Sequence, residues 1–512
     1  MTTQQHHGCY WEQSAQGPTF PSLSGTMDVD VAVVGAGIVG VTTARLLKDA
    51  GMTVALIEAL EIGHQATGRS TAKVTSQHGL MYHTLADKFS EHQAQLYASA
   101  QEHGLATIRR LVAEHAIECD LESAAAYTYT CDQSQIYNIE REVELTRRLG
   151  LPASYVRTTE LPFAIAGAIR FDDQARFHPA QYLKGLAATI PGEGCHVFAD
   201  SPVTAWQSGR VDTPHGHVNA RHVVMATHLP LGNTGGYYMR AFPQAEPVVA
   251  ARIPATVAES LQGMYVNVEN PRYSIRTHIN AAGDPYAIVA GSAFKPGHVE
   301  DERRHFNDIE SWLRTNFQAE PAAYRWVNQD YTSMDSVPYV GWSTSLGDPC
   351  LVATGFAAWG ITNGSSAASI LCALLTGGSN PWLELFDAKR IRPLAGASTF
   401  VKETASVAHH FVSGHLSSRP GPVDALARNE AAVMKIDDRK VAAYRDEHDH
   451  LHVVSATCTH LGCVVGWNEA DRTWDCPCHG SRFDHDGTVL HGPAVKPLEH
   501  YTPSVNGKHH RG

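Results

Sequence analysis

Residues Val29–Gly40 read VDVAVVGAGIVG, and this stretch decides the fold of the first part of the 512-residue chain. The β-branched run Val29–Val34 predicts a short buried strand, and the residues after the glycines carry apolar side chains at helical spacing until Gly51. Met52–Glu58 (MTVALIE) predicts a second buried strand that ends in an acid. The stretch therefore opens a strand–helix–strand unit with a glycine-rich turn.

The glycines of this turn, Gly35, Gly37 and Gly40, have the GxGxxG spacing of a dinucleotide site. The first permits the tight turn, the second lets the backbone approach a pyrophosphate, and the third allows close packing of the helix. Glu58 follows about 20 residues later and can accept a hydrogen bond from a ribose 2′-hydroxyl. Glycine triplets also occur in plain turns, but here the strand, the helix and the acid are all in place. The pattern predicts a dinucleotide site without separating NAD from FAD.

Length and composition exclude several classes of protein. The chain is long enough for about two or three domains. Its net charge of −12, from 40 basic and 52 acidic residues, offers no basic face for nucleic acid. No apolar run approaches the roughly 18 to 20 residues of a membrane helix, and the N-terminus lacks the pattern of a signal peptide. We expect a soluble, cytoplasmic protein with no nucleic-acid partner and no integral membrane segment.

Four cysteines and two histidines lie close together near the C-terminus, in CTHLGC (residues 458–463) and CPCHGS (residues 476–481). The two hooks have the forms Cys-x-His and Cys-x-x-His, which together give two cysteine and two histidine ligands. Tetrahedral zinc can use the same four elements. However, zinc sites seldom use Cys-x-His as one hook, and zinc would leave Cys463 and Cys478 unexplained.

This arrangement resembles a Rieske domain, in which one iron of a [2Fe-2S] cluster is held by two cysteines and the other by two histidines. The resemblance implies four metal ligands: Cys458, Cys476, His460 and His479. In the subgroup found in respiratory and photosynthetic cytochrome complexes, each hook carries one further cysteine. Cys463 and Cys478 match those two, so the resemblance also implies a disulfide between them.

Two residues beside the hooks bear on the cluster potential. Ser481 matches a serine that hydrogen-bonds a cluster sulfur in the high-potential subgroup, whereas Phe483 stands where that subgroup has a tyrosine. Because donors to the sulfurs raise the potential, we expect a value below the high-potential members but above plant-type ferredoxins, within roughly −150 to +300 mV. Gly492-Pro493 resembles the proline loop that shields the cluster.

Two further stretches resemble the D-amino-acid-oxidase-like family of flavoproteins: GHQATGRSTAKVTSQHG (residues 63–79) and ATGFAAWGITNG (residues 353–364). In that family the second stretch places a helix N-terminus beside the isoalloxazine. The resemblance implies FAD, and we expect it to be non-covalent because neither His64 nor His78 matches the position of an attachment residue. The implied cofactor-binding residues are Gly35, Gly37, Ile38, Gly40, Glu58, Arg69, Ser70, Val203, Gly355, Trp359, Gly360 and Thr362.

The substrate site is less sharply marked. Arg276, in RYSIRTH, is a candidate for binding a substrate carboxylate, with a structural arginine as the alternative. Tyr331, Asp335 and Tyr339 are further candidates for the cavity, and packing roles are equally consistent with their positions.

The expected fold class is an α/β FAD-binding Rossmann-like domain with an inserted α+β substrate domain, followed by a small all-β Rieske domain. We expect an N-terminal arm at residues 1–27 and the flavoprotein domain at 28–385, with its substrate subdomain mainly at about 80–150 and 235–335. A linker is expected at 386–424 and the Rieske domain at 425–505.

Together the resemblances imply an FAD- and [2Fe-2S]-dependent oxidoreductase, as in a known bacterial class that fuses such a flavin domain to a C-terminal Rieske domain. A single dinucleotide fingerprint argues for an organic reductant rather than NAD(P)H. The main hypothesis is a dehydrogenase that oxidises an amine, amino acid or related small organic substrate and passes electrons singly through the cluster to an external acceptor.

Two other functions remain open at this stage. Electrons could instead enter from an external donor through the cluster, so that the flavin reduces a substrate or activates oxygen. Alternatively, the chain could be a simple flavin oxidase whose Rieske domain is structural or redox-sensing.

Overall fold

The computed structural model describes residues 6–297, 299–344, 346–392, 421–436 and 438–501, together with residues 403, 405–407, 411, 414 and 419. These residues form four β-sheets, two in a larger unit up to residue 392 and two in a smaller unit from residue 421. No helix within the described ranges is both long enough and apolar enough to cross a membrane. The predicted linker at 386–424 lies largely outside the described residues, and the predicted domain boundaries stay predictions.

The first sheet of the larger unit is the predicted Rossmann-like one. Gly25–Val34 pairs in parallel with Val54–Ile57 on one side and with Gly216–Met225 on the other. The connecting helix, Ile38–Asp49, begins directly after Gly37. The strands of this sheet in spatial order are Tyr339–Trp342, Leu351–Thr354, Gly216–Met225, Gly25–Val34, Val54–Ile57 and His196–Phe198, with Arg210–Thr213 and Ala205–Gln207 attached beyond Gly216–Met225.

The second sheet is built from two separate parts of the chain, because strands from residues 73–176 pair with strands from residues 241–333. Its strands in spatial order are His6–His7, Tyr324–Ser333, Ala241–Arg252, Pro285–Ala290, Ser274–Ile279, Met264–Asn267, Glu122–Thr130, Gly167–Arg176 and Lys73–Val74, with Ala153–Val156 beside Gly167–Arg176. This sheet is the predicted α+β insertion.

Helices cover both sheets of the larger unit. The helix Gly360–Leu375, which follows the second flavin-like stretch, packs against Ile38–Asp49 and against Glu91–His115. The other helices are Tyr10–Ser14, Met81–Lys88, Ile136–Arg148, Pro179–Ala188, Ala255–Ser260, Val299–Phe317 and Leu383–Phe386. In the predicted N-terminal arm, Trp11 is buried and its Nε1 donates to the Ser70 carbonyl at 2.9 Å, so this part of the arm belongs to the core.

The described part of the smaller unit, residues 421–436 and 438–501, contains strands, turns and loops and one 3₁₀ turn, Val423–Ala425. One antiparallel sheet contains Glu430–Ile436, Arg439–Arg445 and Leu451–Ser455, and the other contains Gly466–Asn468, Thr473–Asp475, Arg482–Phe483 and Val489–His491. Trp474 and Phe483 are fully buried between the two cysteine-bearing loops and the strands. All three parts of the expected fold class, α/β, inserted α+β and small all-β, are therefore confirmed.

Candidate flavin and iron–sulfur sites

A cavity of about 530 Å³ lies where the parallel strands of the first sheet end, which is the edge at which sheets of this type bind ligands. Seven of the sequence-predicted cofactor residues line it: Gly35, Gly37, Ile38, Glu58, Ser70, Val203 and Gly360. The structure therefore brings together residues that are up to 325 positions apart in the chain. The size of the cavity and the glycine-rich turn in its wall suit a dinucleotide.

The glycine-rich turn has the close backbone packing that a pyrophosphate cradle needs. A Cβ atom at Gly40 would lie 1.8 Å from the Gly35 carbonyl oxygen, and Gly35 itself has φ +98°. The Ala36 amide donates to the Glu58 carboxylate at 2.6 Å, and the Leu60 amide donates to it at 3.1 Å. These bonds hold Glu58 in the cavity wall, directly after the end of the strand Val54–Ile57. The residues present therefore fit an FAD.

The second flavin-like stretch forms one end of this cavity and the start of another. Trp359 stacks on His78 with ring centroids 4.6 Å apart, and the Thr362 hydroxyl donates to the Thr75 carbonyl at 3.0 Å. Both residues line a smaller neighbouring cavity rather than the large one. Gly355 acts through the backbone, because its φ of +82° brings it against Ser333, where a Cβ atom on the glycine would lie only 3.0 Å from the serine side chain.

The side chain of Arg69, a predicted cofactor residue, points away from the large cavity. Its guanidinium donates to Glu12 at 2.9 Å and to Asp471 of the smaller unit at 2.7 Å. Its carbonyl accepts from the Trp326 indole at 2.8 Å. A buried guanidinium needs anionic partners, and both anions lie away from the cavity. Arg69 therefore joins the two units, whereas its neighbour Ser70 faces the cavity.

The prediction that Arg276 binds a substrate carboxylate is also wrong. Its side chain is 2% exposed and donates to the backbone carbonyls of Ala72 at 3.0 Å and Phe177 at 2.9 Å. Its guanidinium also lies over the Trp11 ring, 5.1 Å from the centroid. Arg276 is thus the structural arginine that the alternative described.

Three charged residues line the smaller cavity beside Trp359: Lys73, Glu246 and Arg272. Glu246 and Arg272 also line a third cavity of about 250 Å³, which shares Ala358 with the large one. Burial raises the pKa of Glu246, and burial together with Arg276 and Arg272 lowers the pKa of Lys73 well below its usual value. Sequence reasoning missed all three. Lys73 lies within the flavin-like stretch 63–79, which gives no sign that its amine faces a cavity, and Glu246 and Arg272 lie on or near strands with no motif around them.

The other candidates for the substrate cavity lie elsewhere. Asp335 forms a buried ion pair with Arg390 at 2.8 Å, and the Tyr339 ring lies under the same guanidinium at 4.1 Å. Neither residue lines the three cavities described above. Both have the packing roles that the sequence left open.

The predicted metal ligands of the smaller unit lie close together. The His460 and His479 rings are 5.0 Å apart at 89°, and Nδ1 of His460 is buried with no hydrogen-bond partner among the described residues. The buried Cys458 and Cys476 thiols interact, which lowers the pKa of Cys458 and raises that of Cys476. Two histidines and two cysteines are the donor set that a Rieske cluster requires.

The cysteines that the ligand set leaves over are joined to each other. Cys463 and Cys478 form a disulfide with an S–S distance of 2.04 Å. Ser481 is fully buried, accepts from the Ala494 amide at 3.1 Å, and is among the groups that lower the pKa of the Cys458 thiol, after Cys476. Phe483 is fully buried behind the same loop. The disulfide therefore links the two hooks, and the serine lies where its hydroxyl can reach a sulfur.

The two sites adjoin one another through a few aromatic side chains. The Tyr331 hydroxyl donates to the His479 carbonyl at 3.0 Å, and Gln329 donates to the next carbonyl, that of Gly480, at 2.7 Å. The Tyr238 ring lies 5.3 Å from the His460 ring and 5.2 Å from the His479 ring. Tyr331 therefore contacts the ligand loop rather than lining the cavity. No sequence pattern indicates this contact, which spans 148 positions.

Comparison with known proteins covers almost the whole chain. Residues 30–374 match the model of the FAD dependent oxidoreductase family, and residues 420–502 match that of the Rieske [2Fe-2S] domain. YhfW of Bacillus subtilis (strain 168), named as a putative Rieske 2Fe-2S iron-sulfur protein, is 33% identical over 495 residues, which is 96% of each chain. Gamma-glutamylputrescine oxidoreductase of Escherichia coli (strain K12) is 25% identical over 399 residues, 75% of this chain and 91% of the relative.

Solved structures agree on the fold of the larger unit. Glycine oxidase from Geobacillus kaustophilus superposes with a TM-score of 0.57 at 18% identity, over 71% of this chain and 99% of the other. L-proline dehydrogenase from P. horikoshii superposes with a TM-score of 0.57 at 17% identity, over 72% and 98%. At these identities the likeness concerns the fold alone.

Proposed function

Because the chain belongs to the FAD dependent oxidoreductase family and ends in a Rieske [2Fe-2S] domain, we propose that it is a dehydrogenase for an amine, amino acid or related small organic substrate. Electrons pass singly through the Rieske cluster to an external one-electron acceptor. FAD supplies two-electron chemistry when bound, and a [2Fe-2S] cluster accepts one electron at a time. The proposed cluster ligands are Cys458, Cys476, His460 and His479.

One observation carries this proposal: the cofactor cavity and the ligand loop of the Rieske domain adjoin within a single chain. Tyr331 donates to the His479 carbonyl, and its own amide donates to Asp330, a residue of the cavity wall, at 2.6 Å. Asp330 in turn accepts from the Ala358 amide in the second flavin-like stretch. If the Rieske domain had only a structural role, its ligand loop would have no reason to lie next to the cofactor cavity.

Charged side chains that line the two smaller cavities support an amine or amino acid as the substrate class. Arg272 offers a planar guanidinium that can bind a carboxylate bidentately, and its position 5.6 Å from the Trp359 ring centroid keeps it beside the flavin stretch. Glu246 faces the same cavities and can bind an amine. Lys73 donates to Ser274, and the lowered pKa of its amine suits a group that accepts a proton from a substrate ammonium. The name of the Escherichia coli relative is consistent with an amine substrate.

The test is an anaerobic screen of amines and amino acids against the full-length holoprotein. Flavin absorbance reports substrate oxidation, and the electron paramagnetic resonance (EPR) signal of the reduced cluster reports electron transfer. We expect flavin bleaching followed by cluster reduction. Arg272→Ala is expected to raise KM for a carboxylate substrate by about 10- to 100-fold, as expected for a lost charge-assisted hydrogen-bonded pair.

Other outcomes would replace the proposal with a different function. Flavin bleaching without cluster reduction, with stoichiometric hydrogen peroxide in air, would identify a simple oxidase. Cluster reduction by a donor protein before any flavin reduction would reverse the direction of electron flow.

A further inference from the structure

The Rieske domain forms one wall of the cofactor cavity. Residues from its last strand, Val489–His491, and from the loops on both sides of that strand face the same space as the GxGxxG turn and Glu58. The backbone of this loop is tied to the larger unit, because the Gly232 amide donates to the Pro493 carbonyl at 2.8 Å. A cofactor in the cavity therefore contacts both units.

Two histidines, one from each unit, meet in this cavity. The His228 and His491 rings are 5.4 Å apart at 88°, and both residues line the cavity. The His491 side chain is buried and that of His228 is only 13% exposed, yet Nδ1 of His228 and Nε2 of His491 have no hydrogen-bond partner among the described residues. A buried polar atom without a partner is costly, so its presence at a ligand cavity indicates a missing partner.

The other ring nitrogens show which kind of partner is missing. Nδ1 of His491 lies 2.8 Å from the Gly492 carbonyl, and Nε2 of His228 lies 2.7 Å from an Asp330 oxygen. A carbonyl or a carboxylate can only accept, so each of these nitrogens donates. Burial, with His228 nearby, lowers the pKa of His491 to about 3, which leaves that ring neutral. In a neutral ring the remaining nitrogen is an acceptor, so Nε2 of His491 offers an acceptor to the cavity.

We propose that Nε2 of His491 accepts a hydrogen bond from a hydroxyl group of FAD, so that the Rieske domain completes the flavin site. FAD is rich in suitable donors, namely the hydroxyls of its ribityl chain and its ribose. The inference rests on the FAD site of the proposed function, but not on the substrate or on the direction of electron flow. The glycine motif of the larger unit could not have indicated this contact, because His491 belongs to the Rieske domain.

The neighbours of the pair give this contact a second consequence. The His491 ring stacks on Tyr331 at 5.9 Å and 17°, and the His228 ring contacts Tyr331 at 4.8 Å. The same tyrosine donates to the His479 carbonyl. The residue proposed to bind the cofactor is thus packed directly on the residue that contacts the cluster loop, and FAD binding and docking of the Rieske domain should stabilise each other.

The test is the equilibrium affinity of full-length apoprotein, freed of flavin but with its cluster intact, for added FAD. His491→Leu removes the acceptor and is expected to raise the FAD dissociation constant by about 3- to 10-fold, the range for one neutral hydrogen bond. His491→Gln keeps an acceptor oxygen and should stay within about 2-fold of the wild type. His450→Leu, at a side chain of the Rieske domain that is 76% exposed, is the control and should change nothing.

Each outcome decides the proposal. Unchanged FAD affinity in His491→Leu overturns it, and so does an equal loss in the leucine and glutamine variants, because the effect would then come from packing. The visible circular dichroism of the cluster must match the wild type in every variant compared. If no substrate ever bleaches the flavin, the proposed function fails while this binding result still stands.

Discussion

Two of the contacts between the two units of the chain differ in chemistry. One is a buried network of ion pairs, in which Asp471 of the Rieske domain lies 2.7 Å from Arg69 of the larger unit and 2.6 Å from Arg482. The other consists of rings, with Tyr331 on the His479 carbonyl and Tyr238 beside both histidine ligands. We infer that the charges fix the orientation of the units, whereas the rings join the two cofactor sites. Docking and electron transfer should therefore be separable by mutation.

The ionic contact depends on full pairing. Burial alone would raise the pKa of Asp471, but Arg69 and Arg482 outweigh it and hold the pKa below its usual value. A buried pair of this kind adds little net stability over apolar packing, yet loss of one partner leaves a buried charge uncompensated. The aromatic contact carries no such charge and should tolerate substitution better.

The largest effect is expected from Asp471→Asn, which leaves two guanidiniums facing each other without their shared anion. The free energy of unfolding should fall by about 3 to 5 kcal/mol, measured by urea unfolding. The matched control is Arg303→Ala, which breaks the exposed pair with Glu469 between the same two units, with side chains 66% and 47% exposed. That variant should lose less than about 1 kcal/mol. Equal losses would show that burial of the network is unimportant.

A second effect comes from Glu302, whose carboxyl accepts from the Ala470 amide at 2.7 Å across the same boundary. Burial raises the pKa of Glu302 to about 8. The folded protein therefore keeps a proton that the unfolded chain loses near its usual pKa of about 4.3, so stability falls as pH rises from about 5 to about 8.

We expect the Glu302 carboxyl to contribute a loss of a few kcal/mol over this pH window, at about 1.4 kcal/mol per pKa unit. Glu302→Gln removes the titration, so its unfolding free energy should vary less with pH than that of the wild type. Parallel pH profiles for the two proteins would contradict the prediction.

The ring contact is tested by Tyr331→Phe, which leaves the His479 carbonyl buried without a donor. Stability should fall by about 1 to 3 kcal/mol, and cluster reduction should slow while flavin bleaching by substrate keeps its rate. Tyr238→Phe retains the ring against both histidines and serves as the control. Stopped-flow absorbance separates the two phases. Slower flavin bleaching in Tyr331→Phe, with unchanged cluster reduction, would place the residue at the substrate step instead.

The smallest effect concerns the cluster itself. Phe483→Tyr adds a hydroxyl where the high-potential Rieske proteins have one, and one additional hydrogen bond to the cluster should raise the midpoint potential by about 40 to 60 mV. Ser481→Ala should lower it by a similar amount. Redox titration of the holoprotein measures both. A wild-type midpoint at the top of the Rieske range would contradict the idea that Phe483 limits the potential.

The parts of the two sites that are built from a short continuous stretch of the chain were predicted best from the sequence. The turn at Gly35 and Gly40 and the two cysteine hooks are local, and the structure brings the turn to the wall of the large cavity and joins the two hooks by a disulfide. The contacts that could not be predicted from sequence are those of side chains whose partners lie far away in the chain. Arg69 lies 402 positions from Asp471, and a flavin-loop motif cannot indicate that its arginine turns toward another domain. Arg272 and Arg276 lie one after the other among the arginines of a single short segment, RYSIR, and only packing decides which of them reaches a cavity.

The central claim is that the flavin and the cluster exchange electrons within one docked chain. The most direct measurement is rapid-freeze EPR of the cluster after anaerobic mixing with a substrate that bleaches the flavin, repeated over a tenfold range of protein concentration. We expect cluster reduction at a first-order rate that does not change with concentration. A rate that rises in proportion to concentration, or a cluster that stays oxidised, would contradict the claim.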